Sequence, residues 1–330
     1  MRQRIKALAI LLLCVGSAAS HGAGSASLKL LQTIPLPGVK GRFDHFAVDA
    51  KGRRLFVAAL ANNTLEVIDT GAGRRIKSIS GLHKPTGVVF LSDKNQIGVA
   101  NGDDGSFKLF DCASFELVNS LAGLDDADNA RRDTRSGLLH VGYGDGSLGL
   151  LDGTGRKKLG GIKLPAHPES FQLETNSPRI FVNVPDAKQI VVVDRERRAV
   201  IAHWPMEKFQ ANFPMALDES SHRLFVGCRQ PARLVVMDTG SGRPAADMEI
   251  SGDTDDLFFD AKRQRLYVSC GEGFLDVIQR RAADRCERIA RLPTRSGART
   301  CFYSAELDRL FLAVPQRGGE DAEIRVYQPE

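Results

Sequence analysis

Residues Arg53–Ile79 read RRLFVAALANNTLEVIDTGAGRRIKSI, and this stretch decides the fold. It contains an apolar strand, a short polar turn, a second apolar strand that ends in Asp69, a glycine turn and a more polar third strand. Strands bounded by such turn residues predict an antiparallel β-sheet. The same pattern recurs along the chain, and recurrence at a fixed spacing is typical of repeat architectures.

Two positions of this pattern recur together along the chain. The first of them, the start of the first apolar strand, recurs every 41 to 44 residues. The first apolar strand begins at Leu55, Ile97, Leu139, Ile180, Leu224, Leu266 and Leu310. The end of the next strand falls at Asp69, Asp111, Asp152, Asp194, Asp238, Gln279 and Gln328. With a short strand before each pair and a polar strand after it, each copy has the four strands of a propeller blade. We therefore predict an all-β fold, a seven-bladed β-propeller.

The two ends of the chain predict how the ring closes. The seventh copy stops at Glu330, directly after its third strand, and so lacks a fourth. Leu28–Pro35, which precedes the first copy, resembles the fourth strands of the other copies. Docked on the last blade, this N-terminal strand would close the ring and remove an open sheet edge. Residues 27–330 are thus expected to form one domain.

The first residues predict export. A basic start is followed by the apolar run Ala7–Val15 and by small residues, as in a secretory signal peptide of residues 1–20 with a boundary uncertain to about residue 26. Leu13 disfavours lipidation of Cys14. We expect a periplasmic or secreted protein, without a transmembrane segment once processed. Its remaining charge is close to balanced, so no nucleic-acid partner is expected.

Catalytic signatures and a disulfide framework are both missing from the sequence. It has no GxSxG elbow, no GxGxxG loop, no P-loop and no HExxH motif. Five cysteines follow the signal peptide, an odd number without a CxxC pair, so we expect at most one disulfide. The Asp that ends the third strand in five copies is expected to set the following turn by accepting backbone N–H bonds.

Candidate functional residues lie where the first strand of each blade enters the central channel. Four of the seven copies carry a carboxylate at the first position of this strand, and histidines cluster nearby. Crowded carboxylates repel one another and require a cation, a proton or an arginine. The candidates are Asp44, His45, His83, Asp128, Asn129, His167, Glu169, Asn212, Asp255, Asp256 and Arg299.

Two interpretations of this channel mouth stay open. In the first, it binds a divalent metal or a cationic or polyhydroxylated ligand; oxygen ligands suit Ca²⁺ or Mg²⁺, and histidine suits Zn²⁺ or Mn²⁺. In the second, the same groups only line a water-filled channel and cap the strands.

The stretches GRRLFVAALANNTLEVIDTGAGRRI and PTGVVFLSDKNQIGVANGDDGSFKLFD resemble the YVTN-type, YncE-like β-propeller repeat family. The resemblance covers Leu28–Glu330 and implies an exported seven-bladed propeller. The chain lacks the WD dipeptides of typical WD40 repeats. The family motif marks strands and turns and implies no single activity, so it supports the fold rather than a function.

The function that these observations favour is non-enzymatic: a monomeric exported propeller that binds a small ligand or an envelope protein through its channel mouth. The alternative is a metal-dependent hydrolase that resembles the gluconolactonase-like propellers. These hold a divalent ion with a Glu, two Asn and an Asp, and Glu169, Asn129, Asn212 and Asp255 match those residue types. In that case Asp255 or Asp44 would act as the base.

Overall fold

The structure, a computed structural model, describes residues 27–330. Seven four-stranded antiparallel sheets are present in this part of the chain, and they confirm the predicted seven-bladed β-propeller. The innermost strands are β2 (Phe46–Asp49), β6 (Pro85–Leu91), β10 (Ala130–Arg132), β14 (Phe171–Leu173), β18 (Gln210–Asp218), β22 (Thr254–Asp260) and β26 (Thr300–Ser304). The second strands are β3 (Arg54–Ala59), β7 (Gln96–Asn101), β11 (Leu139–Tyr143), β15 (Arg179–Val184), β19 (Arg223–Gln230), β23 (Arg265–Cys270) and β27 (Arg309–Val314).

The outer half of each blade completes the sheet. The third strands are β4 (Thr64–Asp69), β8 (Ser106–Asp111), β12 (Ser147–Leu151), β16 (Gln189–Asp194), β20 (Ala232–Asp238), β24 (Phe274–Ala282) and β28 (Ala322–Pro329). The outermost strands are β5 (Arg74–Ile79), β9 (Leu117–Leu121), β13 (Lys158–Lys163), β17 (Ala199–Pro205), β21 (Pro244–Glu249), β25 (Arg285–Pro293) and, from the N-terminus, β1 (Leu28–Leu36). Short 3-10 helices occupy Leu60–Asn62, Pro185–Ala187 and Glu219–Ser221.

The predicted closure of the ring is confirmed. Strand β1 pairs antiparallel with β28, from Leu28 opposite Pro329 to Leu36 opposite Ala322. Ile34 and Leu36 are fully buried in the contact between the last and first blades. The predicted signal peptide, residues 1–20, lies outside the described residues. Within residues 27–330, no helix has the length and apolar character needed to cross a membrane.

The core is divided into layers between neighbouring sheets. Buried apolar residues form seven clusters in the described chain, one for each contact between adjacent blades. In five of the seven blades, an aromatic residue of the second strand supplies a large part of this packing: Phe56, Phe181, Phe225, Tyr267 and Phe311 are all buried. Gly98 replaces the aromatic in the second blade because the Phe107 ring fills that space, 2.4 Å from where a Cβ would stand.

The turn role predicted for the repeated aspartates is confirmed. Asp69 Oδ1 accepts hydrogen bonds from the backbone N–H groups of Gly71 and Ala72, both at 2.8 Å. Asp111 and Asp238 accept equivalent bonds in their own blades. These turns lie on the face opposite the channel mouth, because the third strand runs in the same direction as the first. The five cysteines among residues 27–330 are all free thiols.

Candidate functional site at the channel mouth

The mouth carboxylates are fixed by the backbone of their own blades. Three of them precede their inner strands but continue the strand ladder with a further hydrogen bond. The backbone N–H groups of Asp44, Asp128 and Glu169 donate to the carbonyls of Ala58, Gly142 and Asn183, at 2.8, 2.8 and 3.0 Å. Equivalent positions of three blades therefore present carboxylates at the same level of the channel.

Tight approach between inner strands also shapes the mouth. At Gly87, in the second blade, a Cβ would stand 2.2 Å from the carbonyl oxygen of Asp128 in the third blade. Glycine is the residue that permits such close contact with a neighbouring backbone. Lys84, Asp126 and Asp253 precede their inner strands with positive φ values of 53°, 47° and 60°. These turns direct the chain into the channel.

His45 lies among three carboxylates. Its Nε2 atom is 3.5 Å from Asp44 Oδ1 and 3.9 Å from Asp128 Oδ1, and its Nδ1 atom is 3.9 Å from Asp256 Oδ1. These separations exceed hydrogen-bond length, so the imidazole faces the carboxylates without binding any of them directly. One ligand atom from each of Asp44, His45 and Asp128 lies within 4.8 Å of the other two.

His167 forms a second group with the same aspartate. Its Nδ1 lies 2.8 Å from the carbonyl oxygen of Gly144, and its Nε2 lies 3.8 Å from Asp128 Oδ2. The carbonyl can only accept, so the contact at Nδ1 orients the ring with Nε2 towards the mouth. Ligand atoms of Asp128, His167 and Glu169 also lie within 4.8 Å of one another. Asp128 is thus shared by two groups of potential metal ligands.

Burial makes ionisation of several mouth carboxylates unfavourable. It raises the pKa of Asp44 to about 6, and the neighbouring Asp128 adds to the shift. Burial likewise raises the pKa of Glu169 to about 8 and that of Asp256 to about 8, again with contributions from nearby carboxylates. Isolated carboxyl groups ionise near pH 4, so the mouth holds protons that free side chains would have released.

The pKa values of the two mouth histidines are also raised, which favours their charged forms. Asp128 raises the pKa of His167 to about 9, although burial opposes this. For His45, burial lowers the pKa, but Asp44, Asp256 and Asp128 outweigh that effect and raise it. Burial would raise the pKa of Asp128, but the two imidazoles lower it. Positive charge is therefore strongly favoured at the centre of the mouth.

Two arginines at the mouth were not predicted from the sequence. Arg42 lies 3.2 Å from Asp44, and Arg229 pairs with Asp255 while its Nε donates to the Thr254 carbonyl at 2.7 Å. The Arg229 guanidinium also stacks over the Phe213 ring, 3.9 Å from its centroid. Arg42 lies two residues before Asp44. A basic residue so close in sequence to a predicted mouth carboxylate could have been recognised as its partner. Arg229 comes from the end of a second strand, whereas the predicted candidates all lie at or just before first strands.

The predicted site residues do not all meet. Asp44, His45, Asp128, Glu169, Asp255 and Asp256 line one small pocket of about 30 Å³, and His167 lines the adjoining cleft. Arg299 is paired with Asp253 at 2.9 Å, beside Arg229. His83 is more exposed, with a side-chain exposure of 58%, and its nearest carboxylate is that of Asp104 at 4.0 Å.

The four residues matched to the gluconolactonase-like set are also dispersed. Glu169 and Asp255 line the mouth, but Asp255 is engaged by Arg229. Asn129 lines the larger cavity below it. Asn212 is fully buried and donates to Asn183 Oδ1 at 2.8 Å and to a backbone carbonyl at 3.2 Å. The histidine–carboxylate groups are thus a more compact candidate metal site than this set.

Comparison with known proteins supports the architecture. No protein-family model matches the chain, and no curated protein matches it. Among solved structures, a chain of the mitotic checkpoint complex is 13% identical with a TM-score of 0.75, covering 99% of both chains. Hydrazine synthase of Kuenenia stuttgartiensis is 12% identical with a TM-score of 0.73, covering 84% of this chain and 96% of the other. At such identities the likeness shows the fold alone: the chain is a seven-bladed β-propeller, and the YVTN-type assignment stays a prediction.

Proposed function

We propose that this propeller is a binding protein whose channel mouth holds a divalent metal ion of the kind that imidazole and carboxylate ligands select, such as Zn²⁺ or Mn²⁺. The proposed ligands come from the two groups that share Asp128, with Asp44 and His45 in one and His167 and Glu169 in the other. Mixed nitrogen and oxygen ligands suit these ions better than Ca²⁺, which takes oxygen alone.

The observation that carries this proposal is the spacing of the ligand atoms. His45 Nε2 is 3.5 Å from Asp44 Oδ1 and 3.9 Å from Asp128 Oδ1, and His167 Nε2 is 3.8 Å from Asp128 Oδ2. Two ligands that each lie about 2.0–2.2 Å from one ion are roughly 3.3–3.6 Å apart at a tetrahedral angle. The atoms are therefore too far apart for hydrogen bonds but close to the separation of ligands around an ion.

The electrostatics and the outer contacts agree with this assignment. The buried mouth favours positive charge, as the raised pKa values of Asp44, Glu169 and Asp256 indicate. Metal-binding histidines commonly donate their second ring N–H to a carbonyl or carboxylate. The contact between His167 Nδ1 and the Gly144 carbonyl has this form and leaves Nε2 available.

The test is calorimetric titration of the metal-free protein with Zn²⁺ and with Mn²⁺. We expect one dominant site, and an affinity that rises from pH 6 to pH 9. The His167 pKa of about 9 means that binding displaces a proton, so the heat should depend on the buffer. His167→Ala and Asp128→Asn should each weaken binding at least tenfold.

His83→Ala is the matched control, because His83 lies on the same face but outside the pocket and should be dispensable. A wild-type protein that binds neither ion would overturn the proposal. So would unchanged affinity in both His167→Ala and Asp128→Asn.

A second candidate function is metal-dependent hydrolysis, and the pKa of Asp256 favours it, because Asp256 lines the mouth but is not one of the proposed ligands. A carboxyl group with a pKa of about 8 can take up or release a proton near neutral pH, as a general acid or base requires. The measurement is hydrolysis of simple lactones by metal-loaded protein. Turnover lost on metal removal and restored by added Zn²⁺ would support this candidate, whereas no turnover by the loaded protein would contradict it.

The propeller fold is also consistent with a protein-interaction module. Export and an envelope partner remain part of the proposal and rest on residues 1–20. Fractionation of cells that express the full chain would test export, with a truncation of residues 1–20 as the control that should stay inside.

A further inference from the structure

A larger cavity of about 400 Å³ lies in the channel beneath the mouth. It is lined by the inner strands of six blades, β2, β6, β10, β14, β22 and β26. Its volume falls in the usual range for small-molecule sites, about 300–1,000 Å³. Apart from residues that it shares with the mouth, such as His45 and Asp256, its lining is a distinct set of side chains.

One wall of this cavity carries hydrogen-bond donors without acceptors. Asn129 is 4% exposed, and its Nδ2 atom makes no hydrogen bond. Two residues later on β10, Arg131 has a buried Nε atom that also makes none, and no carboxylate within residues 27–330 pairs with it. Alternate residues of a strand face the same side, so Asn129 and Arg131 form one donor wall. A buried N–H group without an acceptor reduces the stability of the fold, and most buried polar groups in proteins are hydrogen-bonded. The unpaired donors of this wall therefore require an explanation.

The other charged groups around the cavity have hydrogen-bond or ion-pair partners. Arg132 binds Asp93 through two nitrogens, at 2.7 and 3.2 Å. Asp133 pairs with Arg195 at 3.1 Å, and Glu174 pairs with Arg179 at 2.6 Å, whereas Asp256 accepts the backbone N–H of Cys301 at 2.9 Å. Arg131 is thus the one lining arginine of the described chain without a carboxylate at ion-pair distance, although the more distant Asp256 favours its charged form.

Arg131 is nevertheless held in place. Its guanidinium lies over the ring of Phe171, 5.7 Å from the centroid, and Phe171 is fully buried between the third and fourth blades. The aromatic contact uses a face of the guanidinium and leaves its N–H edge available for hydrogen bonds. Burial lowers the pKa of Arg131 to about 10, which leaves the group charged at neutral pH.

The wall across the channel is aromatic. Phe302 lies 6.3 Å from Phe46 and 5.4 Å from Phe258, the second pair in an edge-to-face arrangement at 71°. All three rings line the cavity, together with Val88 and Phe90. Phe46, Phe258 and Phe302 come from the first, sixth and seventh blades, whereas the donor wall comes from the third. The cavity therefore has one cationic side and one apolar side.

We propose that this cavity binds a small organic monocarboxylate with an apolar body, whose carboxylate is held by Arg131 and Asn129. Arginine matches a carboxylate with two parallel N–H bonds, and the Asn129 amide can supply a third. The apolar body would pack against Phe46, Phe258 and Phe302, where burial of a ring or chain is favourable. This site goes beyond the metal site proposed for the mouth and does not require an ion there.

The test is titration of the metal-free protein with benzoate and with octanoate, followed by calorimetry or by the shift in melting temperature. Benzyl alcohol and benzylamine, which lack the carboxylate, are the matched ligands. We expect the carboxylates to bind and the alcohol and the amine to bind at least tenfold more weakly. Arg131→Met should weaken benzoate binding about tenfold or more, and Asn129→Leu should weaken it by a smaller factor.

Arg132→Met is the matched protein control, because its guanidinium is already bound to Asp93 and its loss should leave benzoate binding unchanged. Zn²⁺ titration of Arg131→Met separates the two proposals, since the mouth ligands are untouched. The proposal is overturned if neither carboxylate binds, if benzylamine binds more tightly than benzoate, or if Arg131→Met binds benzoate as the wild type does.

Discussion

Carboxylates at the turns and several carboxylates at the channel mouth have the same chemistry, but their pKa values are shifted in opposite directions. At the turns that end the third strands, backbone N–H groups of Ala72 and Gly71 lower the pKa of Asp69, and those of Ser114 and Ala113 lower that of Asp111. At the channel mouth, burial raises the pKa of Asp44 to about 6 and that of Glu169 to about 8. The turn carboxylates have donors within their own turn, whereas Asp44 and Glu169 are buried close to other carboxylates.

This difference separates carboxylates that stabilise the propeller from carboxylates that could bind a ligand. A turn carboxylate is satisfied by groups two or three residues away in sequence, so it stabilises the fold. Asp44 and Glu169 at the mouth lie next to groups from other blades, and burial makes their ionised forms unfavourable in the metal-free protein. Groups that destabilise the folded protein and converge in a cleft are typical of functional sites.

The largest change in the free energy of unfolding is expected for a carboxylate that stabilises the fold. Asp218 is buried at the end of an inner strand, and Ser220 and Ser221 donate to it along with Arg280. Burial would raise the pKa of Asp218, but these donors lower it. Asp218→Ala leaves the Arg280 charge without its partner, so we expect the free energy of unfolding to fall by about 3–5 kcal/mol at pH 7.

Urea unfolding at pH 7 measures that loss, and Asp218→Ala combined with Arg280→Met is its control. Removing both partners should recover part of the stability, because no buried charge is then unpaired. A loss below about 1 kcal/mol in the single variant would mean that this end of the ring tolerates unpaired charge as the mouth does.

An intermediate effect of opposite sign is expected at the mouth. With a pKa of about 8, folded Glu169 keeps a proton that the unfolded chain releases near its ordinary value of 4.5. The unfolding free energy of the metal-free wild type therefore falls as pH rises from 4.5 to 8. Glu169→Gln lacks this loss, so we expect it to be more stable than the wild type by roughly 1–3 kcal/mol at pH 8.

Urea unfolding of both metal-free proteins at pH 5, 6, 7 and 8 checks this sign. The advantage of Glu169→Gln should be small at pH 5 and should grow with pH. A variant that is less stable than the wild type at pH 8 would show that the Glu169 carboxylate is structural, like those at the turns.

The smallest effect is expected at an exposed turn. Asp69→Ala removes the acceptor for two backbone N–H groups, which water can replace, so we expect a loss of about 0.5–1 kcal/mol at pH 7. Because the folded pKa of Asp69 is lowered, this contribution is present above the unfolded value of 3.8 and is lost as pH falls through the folded value. Unfolding at pH 7 and at pH 3 measures it.

Asp111→Ala provides the matched repeat of that experiment, because Asp111 accepts the same two bonds in the next blade. Both variants should keep the Zn²⁺ affinity of the wild type. A weaker metal affinity in either variant would contradict the conclusion that the turn aspartates stabilise the fold without affecting the mouth.

The fold could be predicted because its information is local and repeated. The strand starts at Leu55 and Leu266 and the turn at Asp69 follow from alternation and turn chemistry within one copy. The candidate site was predicted in part. Asp44, His45, Asp128 and Glu169 do meet, because inner-strand starts share one end of the ring.

The missed contacts come from other strands and other blades. Arg229 reaches the mouth from the end of a second strand, and Arg131 faces a cavity whose aromatic wall is two or three blades away. Asn212 has the residue type of a metal ligand but turns to a neighbouring blade, where Asn183 accepts its hydrogen bond. No spacing within one copy encodes such partners.

The sequence by itself determined the number of blades, the closure by β1 and the turn role of the repeated aspartates, because each depends on contacts within a repeat or between its ends. Only the tertiary structure decided which carboxylates crowd one another, which arginines they bind and where Arg131 stays without a partner. Those properties arise from distances and burial between blades, and the energy of a buried charge depends on every group around it.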